Sequence, residues 1–231
     1  MTQEQAAICL QNNGLGENRE LAEKTATYLD LLQEWNQRMD LTAVTGEDEM
    51  MDRHFADSLL ALELIPEGAK VIDVGTGAGF PGIPLAIMRP DIELTLLDSL
   101  NKRILFLNDV LTELGLTART VHARAEDGGR DVTLRERFDI AVSRAVAELP
   151  VLAEWTLPFV SVGGASIMYK GPGAEEELGR AENALKLLHG RAEVRRFELP
   201  WGERNLVSVK KAGATPAKYP RKAGTAAKNP L

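Results

Sequence analysis

The segment from Val71 to Ile83, VIDVGTGAGFPGI, runs a buried-strand pattern straight into a glycine-rich turn, with an acid, Asp73, two positions ahead of the first glycine. Glycines at alternate positions, Gly75, Gly77 and Gly79, let the backbone turn tightly and approach a ligand more closely than any side chain would allow. Such a turn at a strand end suits a cofactor that contains a nucleoside. Two kinds of occupant fit these letters.

Read from Gly77, GAGFPG is a G-x-G-x-x-G, in which a pyrophosphate rests on a helix N-terminus, as in nicotinamide or flavin enzymes. Read from Asp73, the same text is D-x-G-x-G-x-G, the pattern of methyltransferases that use S-adenosylmethionine. That cofactor has no phosphate, and an acid at the strand end can face its cationic methionine part. Beside a pyrophosphate the same carboxylate would be repulsive. Pro81, where a phosphate-binding helix would start, also has no N–H to offer an anion. Both points favour the methyl donor.

The ends of the other apolar runs supply the remaining candidates, because ligands of an open parallel sheet bind at the carboxyl ends of its strands. Asp98, after Leu96-Leu97, stands nineteen residues beyond Gly79, where an acid accepts from ribose hydroxyls; Ser99 or Asn101 better suits the helix cap that follows. At the third strand end, Ala125 and Glu126 can meet an adenine amine, or belong to a solvated turn with Gly128-Gly129. Arg144 follows an apolar strand directly, a costly place for a guanidinium unless it meets a carboxylate, phosphate or base. Lys170 ends the fifth strand and points to the same rim, either toward a phosphate or simply to solvent.

The rim carries no Asn/Asp-Pro-Pro-aromatic motif for exocyclic amines, and no cysteine for attack on a pyrimidine: Ser143-Arg144-Ala145-Val146 stands there, and the single cysteine, Cys9, lies far away on the first helix. The acceptor is therefore expected to be intrinsically nucleophilic, with Arg144 and Lys170 positioning it and no general base at work.

The elements that must hold these residues follow from periodicity. From Lys70 onward short apolar runs alternate with helical patterns, the mark of a parallel sheet covered on both faces. Strands are expected at 70–75, 93–98, 118–123, 138–143 and 164–169, and helices near 82–88, 101–114, 147–157 and 174–188. The runs 191–199 and 205–210 are joined too closely for a parallel crossover and should pair antiparallel. A five-stranded parallel core finished by an antiparallel hairpin is the class I, Rossmann-like methyltransferase version of the α/β doubly wound fold. Ahead of it, residues 3–64 read as helical, with Leu21, Thr25, Tyr28, Leu32, Trp35 and Met39 forming one stripe. A second helix is expected from Glu47 to Leu64. The expected organisation is a helical extension at 1–68, the Rossmann-like domain at 69–212 and a basic tail at 213–231.

Composition bounds the rest. The chain has 231 residues and a net charge of −7, with no apolar run long enough to span a membrane, no signal-like start and no metal-binding cluster. A cytoplasmic protein without metal is expected. The charge is unevenly spread: from Leu206 onward there are six basic residues and no acid, while residues 1–205 carry 34 acids against 21 bases. Such a tail can contact phosphates locally or merely aid solubility.

With these residues in place the chain resembles, nearly end to end, the bacterial 16S ribosomal RNA guanine-N7 methyltransferases of the glucose-inhibited division protein B family. The resemblance is carried by Glu34-Trp35-Asn36, Leu41-Thr42, Arg53 through Leu59, Asp73 through Pro84, Leu97 through Arg103, Ser143 through Ala147 and Tyr219 through Thr225. It implies methyl transfer from S-adenosylmethionine to N7 of one guanosine in small-subunit rRNA, by a monomer acting on 16S rRNA or the small ribosomal subunit. It places Gly75, Phe80, Asp98, Ser99, Leu100, Ala125, Glu126 and Arg144 at the cofactor. RNA contacts are expected from Arg221, Lys222 and Lys228, and from His54 and Asp57 at the entrance, unless these last two are a structural pair. The family usually has Asn where Asp40 stands and Pro where Ala226 stands, which leaves any role of the first side chain open and suggests a slightly looser tail. A nicotinamide-dependent oxidoreductase, or an RNA-binding protein that keeps the cofactor pocket without catalysis, are the competing readings.

Overall fold

The computed structural model describes residues 2–12, 18–44 and 46–231, with the side chains of Cys9 and Asn12 outside that description. The role expected for Cys9 and the helical reading of 13–17 therefore lie outside the described residues.

Seven strands, β1 (Lys70–Val74), β2 (Glu93–Asp98), β3 (Ala118–His122), β4 (Phe138–Arg144), β5 (Val160–Lys170), β6 (Gly190–Leu199) and β7 (Gly202–Lys211), form one sheet in the order β3-β2-β1-β4-β5-β7-β6. The first five run parallel; β7 pairs antiparallel with both β5 and β6. The expected core and hairpin are both present. β5 begins four residues earlier than periodicity suggested, and its register with β4 shifts between Phe138 and Ile140. There Gly164 lies so close to β4 that a Cβ on it would fall 2.3 Å from the Asp139 carbonyl oxygen.

Alternation along each strand sorts the side chains onto two faces. Val71, Leu94, Leu96, Ile140, Val142 and Tyr169 join a cluster with α2 (Arg19–Met39), α4 (Gly82–Met88) and α5 (Asn101–Glu113). Ile72, Val74, Leu97, Ala141, Met168 and Val207 belong to clusters on the other face, where α7 (Leu149–Thr156) and α8 (Ala174–Leu187) pack. The N-terminal helices α1 (Gln3–Asn12) and α2 contribute Ala6, Leu10, Tyr28 and Leu32 to the first cluster, continuous with the sheet.

α2 starts where Asn18 Oδ1 accepts from the Glu20 and Leu21 N–H groups at 3.0 and 3.3 Å, a side-chain N-cap. It ends at Asp40, whose left-handed backbone (φ 47°, ψ 55°) favours short polar residues. This conformation suits the short polar side chain of Asp40. The expected helix at 47–64 is one continuous helical run of changing pitch: α3 (Glu47–Met50) passes into a π-helix over Met51–Ala56 and, after Asp57 and Ser58, into a 3-10 helix over Leu59–Leu64. π-turns recur at functional sites because they re-aim side chains; here the segment carries His54 and leads into Asp57.

The C-terminal segment is built into the fold. Lys211 is fully buried, its Nζ donating to Glu136 Oε1 (2.6 Å) and to the carbonyls of Leu157 and Val160. Arg135 donates to the carbonyls of Thr215 and Tyr219, and Tyr219 is itself buried. Arg221 Nε and Nη2 grip the fully buried Glu154, with Nη2 2.6 Å from Oε2. These pairings correct the expectation that Arg221 faces RNA. Ala226, where the family has Pro, is buried in the short helix α9 (Thr225–Lys228).

Breaking a buried ion pair from one side leaves an uncompensated charge, a cost of about 3 kcal/mol or more. Arg221→Ala is expected to lower unfolding free energy by about that amount, near the low end because the guanidinium is partly exposed. Urea unfolding followed by far-ultraviolet circular dichroism checks this; an unchanged midpoint would mean that Glu154 does not hold the tail.

Candidate active site

β1 lies between β2 and β4, so chain connections depart to opposite sides on either side of it, and a cavity of about 450 Å³ opens at the carboxyl ends of these strands. Its wall includes Val74 at the end of β1 with Gly75, Gly77 and Phe80 from the turn that follows, Leu97 and Asp98 at the end of β2 with Ser99 beyond it, Ala125 and Glu126 from α6 (Ala125–Gly128) after β3, and Arg144 at the end of β4.

The turn after β1 is shaped from beneath. Asp73 shares strand parity with Val71, so it points to the α4 face and is fully buried. Its Oδ2 accepts from Thr76 Oγ1 (2.7 Å) and from the Gly82 N–H (2.9 Å), while Oδ1 has no hydrogen-bond partner among the described residues. Burial pushes its pKa up to about 7, with the bonds from Thr76 and Gly82 pulling the other way. The expectation that Asp73 faces the cofactor is therefore corrected: it is an internal brace absent from the cavity wall. This geometry also disfavours a pyrophosphate. The first N–H of α4 is directed at Asp73, and Pro81 precedes it.

Gly75 (φ 74°) and Gly77 (φ 61°) both line the cavity. A Cβ on Gly75 would stand 2.9 Å from Val146, whereas one on Gly77 would meet no protein atom within 4 Å. Gly79 is corrected to a packing role: it is not on the wall, and a Cβ there would lie 2.6 Å from Ile83 and 3.0 Å from the Tyr28 hydroxyl. That hydroxyl donates to the Ala78 carbonyl at 2.7 Å, tying α2 to the turn.

Asp98 sits at the opposite wall. Its Oδ2 accepts from the Gly77 N–H (3.0 Å) and from Arg103 Nη1 (3.1 Å), and its Oδ1 from the Leu100 N–H (2.8 Å). It thus joins the first turn to the start of α5, and neither Ser99 nor Asn101 supplies a side-chain cap. Ser99 lines the cavity; Leu100 lies outside it with 42% of its surface exposed. Glu126 is buried on the wall, where Oε1 accepts from the Gly224 N–H of the C-terminal tail at 2.8 Å and Oε2 lies 3.6 Å from Arg124.

On the cavity wall the buried Phe80 packs against Tyr28, against the His54 ring, stacked at 4.8 Å, and under the Arg144 guanidinium, 5.0 Å from its centroid. His54 Nε2 lies 2.7 Å from Thr42 Oγ1. Burial, with the Arg144 charge adding to it, holds the His54 pKa down to about 4, so the ring is neutral at neutral pH. Arg144 Nη1 donates to Asp57 Oδ2 (3.1 Å) and to the carbonyls of His54 and Arg53.

Two further expectations are corrected. Asp57 is 2% exposed and paired with Arg144 and Arg204, so it presents nothing to RNA. Lys170 Nζ is occupied by Glu177 Oε2 (2.6 Å) and the Ala147 carbonyl (2.9 Å), and does not line the cavity. Lys222 and Lys228 are exposed. Sequence reasoning missed Thr76, Arg103, Arg124 and Trp155, which also lie on the cavity wall. Arg103 had a signal, its place in the first turn of α5 five residues after Asp98; Trp155 had none, because a tryptophan in an apolar helix reads as core.

The wall fits an adenosine-bearing cofactor without phosphates: apolar sides from Val74, Leu97 and Val146, backbone exposed at two glycines, a carboxylate at the β2 end, and a helix N-terminus already turned inward. Comparison with known proteins agrees. A family model described as rRNA small subunit methyltransferase G matches residues 21–207. The chain is 49% identical to "Ribosomal RNA small subunit methyltransferase G" of Clostridium beijerinckii over 224 residues, 94% of either chain, and 50% identical to the protein so named from Alkaliphilus metalliredigens over 211 residues, 89% and 88% of the two chains. A solved SAM-dependent methyltransferase from Aquifex aeolicus shares the fold, at 17% identity and a TM-score of 0.53, over 71% of this chain and 93% of that one. The chain belongs to the GidB family, rRNA small subunit methyltransferase G.

Proposed function

We propose that the protein transfers a methyl group from S-adenosylmethionine to N7 of a guanosine in 16S ribosomal RNA, as a cytoplasmic monomer. The observation that carries the choice of acceptor is the wall itself. Its two carboxylates, Asp98 and Glu126, accept from backbone N–H groups, Asp98 also from Arg103, while Glu126 stands 3.6 Å from Arg124, and its histidine is bonded to Thr42. None of the three is placed to take a proton from an acceptor.

S-adenosylmethionine, when bound, supplies an electrophilic methyl on a cationic sulfur. Guanine N7 offers a lone pair and carries no proton, so the chain has only to align and enclose it. Gly75, Gly77, Asp98, Ser99, Ala125 and Glu126 would hold the cofactor. Arg144, held over the buried Phe80 ring, would give a cationic rim for a splayed purine. N7 faces the deep, narrow groove of A-form RNA, so the target suits a loop or a distorted base. Exposed Lys222 and Lys228, close in sequence to the tail residue Gly224 that bonds Glu126, would meet phosphates beside this rim.

Incubation of under-methylated 30S subunits with protein and labelled cofactor, then borohydride reduction and aniline cleavage, tests the reading directly, because N7-methylguanosine makes the strand scissile. A single new cut in 16S rRNA is expected. Label without cleavage would move the acceptor away from N7, and no label across salt and magnesium conditions would favour a non-catalytic RNA-binding protein.

Arg144→Ala is expected to lower kcat by at least about 100-fold, since orientation is the main contribution asked of the site; single-turnover methylation measures it. Replacing Lys222 and Lys228 with alanine should weaken RNA binding and flatten the slope of log K against log salt by up to about 2, as read by filter binding over a salt series. Unchanged affinity would return these lysines to a solubilising role.

A further inference from the structure

If Arg144 orients the target nucleotide, as proposed above, its guanidinium must itself be held at the rim. Asp57 is the buried carboxylate that touches it. Asp57 Oδ2 takes Arg144 Nη1 at 3.1 Å, while Oδ1 takes Arg204 Nε at 2.7 Å and Trp201 Nε1 at 3.3 Å. The donors come from three places: the end of β4, strand β7, and the connection between β6 and β7. Arg204 is in turn anchored by its Nη1, which donates to the Glu203 carbonyl at 2.9 Å. Neither Arg204, Trp201 nor Asp57 lines the cofactor cavity.

One oxygen of Asp57 thus faces the reaction rim and the other faces the hairpin. A carboxylate pinned on one side by two donors presents its second oxygen in a fixed direction, and charge-assisted bonds of this kind are among the stronger ones available to a side chain. Without that oxygen, Arg144 Nη1 keeps only the carbonyls of Arg53 and His54, at 3.4 and 3.1 Å, and its stacking over Phe80. We infer that Asp57 is the positioning residue for Arg144, and that Trp201 and Arg204 at the outer end of the terminal hairpin aim its carboxylate, coupling that hairpin to the methyl-transfer site.

The test uses the full-length protein with S-adenosylmethionine and under-methylated 30S subunits. It reads kcat, KM for the subunit, S-adenosylhomocysteine affinity by calorimetry, and the melting midpoint. Asp57→Asn keeps the shape but places an amide donor where a carboxylate oxygen faced a guanidinium. It is expected to lower kcat about ten-fold or more while KM and S-adenosylhomocysteine affinity stay within about three-fold. Asp57→Glu, which keeps the charge, should recover part of that loss. Arg204→Gln and Trp201→Phe should each lower kcat about two- to five-fold, and adding Arg204→Gln to Asp57→Asn should lower it little further.

A kcat within about two-fold of wild type for Asp57→Asn overturns the inference. So does a parallel fall of kcat, affinity and melting midpoint that Asp57→Glu does not relieve, since that marks a merely structural carboxylate. If Asp57→Asn fails to fold, unchanged kcat in both Arg204→Gln and Trp201→Phe overturns it. Wild-type protein that transfers no methyl overturns the functional reading instead, which keeps the two failures apart.

Discussion

The glycine turn of the candidate site depends on a carboxylate that does not line its cavity. Asp73, fully buried, bridges the Thr76 hydroxyl and the Gly82 N–H, and so closes the chain from the end of β1 to the first turn of α4 in one side chain. The turn it closes uses left-handed conformations at Gly75, Gly77 and Gly79, which side chains other than glycine adopt at a cost. A backbone so unconstrained by its own residues needs outside supports. Asp73 is one, Asp98 through the Gly77 N–H is the second, and the Tyr28 hydroxyl on the Ala78 carbonyl is the third. The third means that α2 is part of the cofactor loop's foundation and not only a cover for the sheet.

The same economy of carboxylates sets the chemistry. Each acid at a strand end closes a piece of backbone: Asp73 the first turn, Asp98 the starts of α5 and of the glycine loop, Glu126 the C-terminal tail. Acids engaged in this way hold backbone in place, and Asp73, whose pKa burial raises, does not line the cavity. Such a wall suits an acceptor that has no proton to lose, for which alignment and exclusion of water are the means of acceleration. Arg144, fixed over the Phe80 ring, suits such an acceptor, since a fixed positive charge can orient a base without changing its protonation.

Most of the scaffold was legible because it rests on local periodicity. The apolar runs marked all seven strands; β7 begins three residues before its run, and β5 four, where Gly164 allows β4 to approach too closely for periodicity to record. Asp73 was misassigned although the information was present: alternation from Val71 puts it on the α4 face, and the eye is drawn instead to its place beside the glycines. Other misreadings had no local signal. Arg221 finds Glu154 across 67 residues, and Asp57 finds Arg204 across 147, so a charge that looks free in sequence is closed by a partner that only the fold brings near. Lys170 and Glu177, seven residues apart, span a turn and the start of α8, which periodicity does not treat as one surface.

These closures change the electrostatic argument for RNA. Of the six basic residues after Leu206, Lys211 and Arg221 are paired with buried or half-buried glutamates, which leaves Lys210, Lys218, Lys222 and Lys228 exposed on a chain whose first 205 residues are strongly acidic. Each neutralised phosphate contributes only a modest, salt-sensitive increment, so a handful of lysines cannot hold RNA tightly by charge alone. The acidic body repels RNA wherever bases do not offset it, and the arginines of the cavity wall, Arg103, Arg124 and Arg144, mark one face where they do. Affinity that is weak by charge and confined to one face must be completed by shape. A substrate with a fixed three-dimensional form around the target base meets that requirement better than an extended strand, because a folded RNA can meet the lysines and the cavity rim together without first paying the entropy of being ordered.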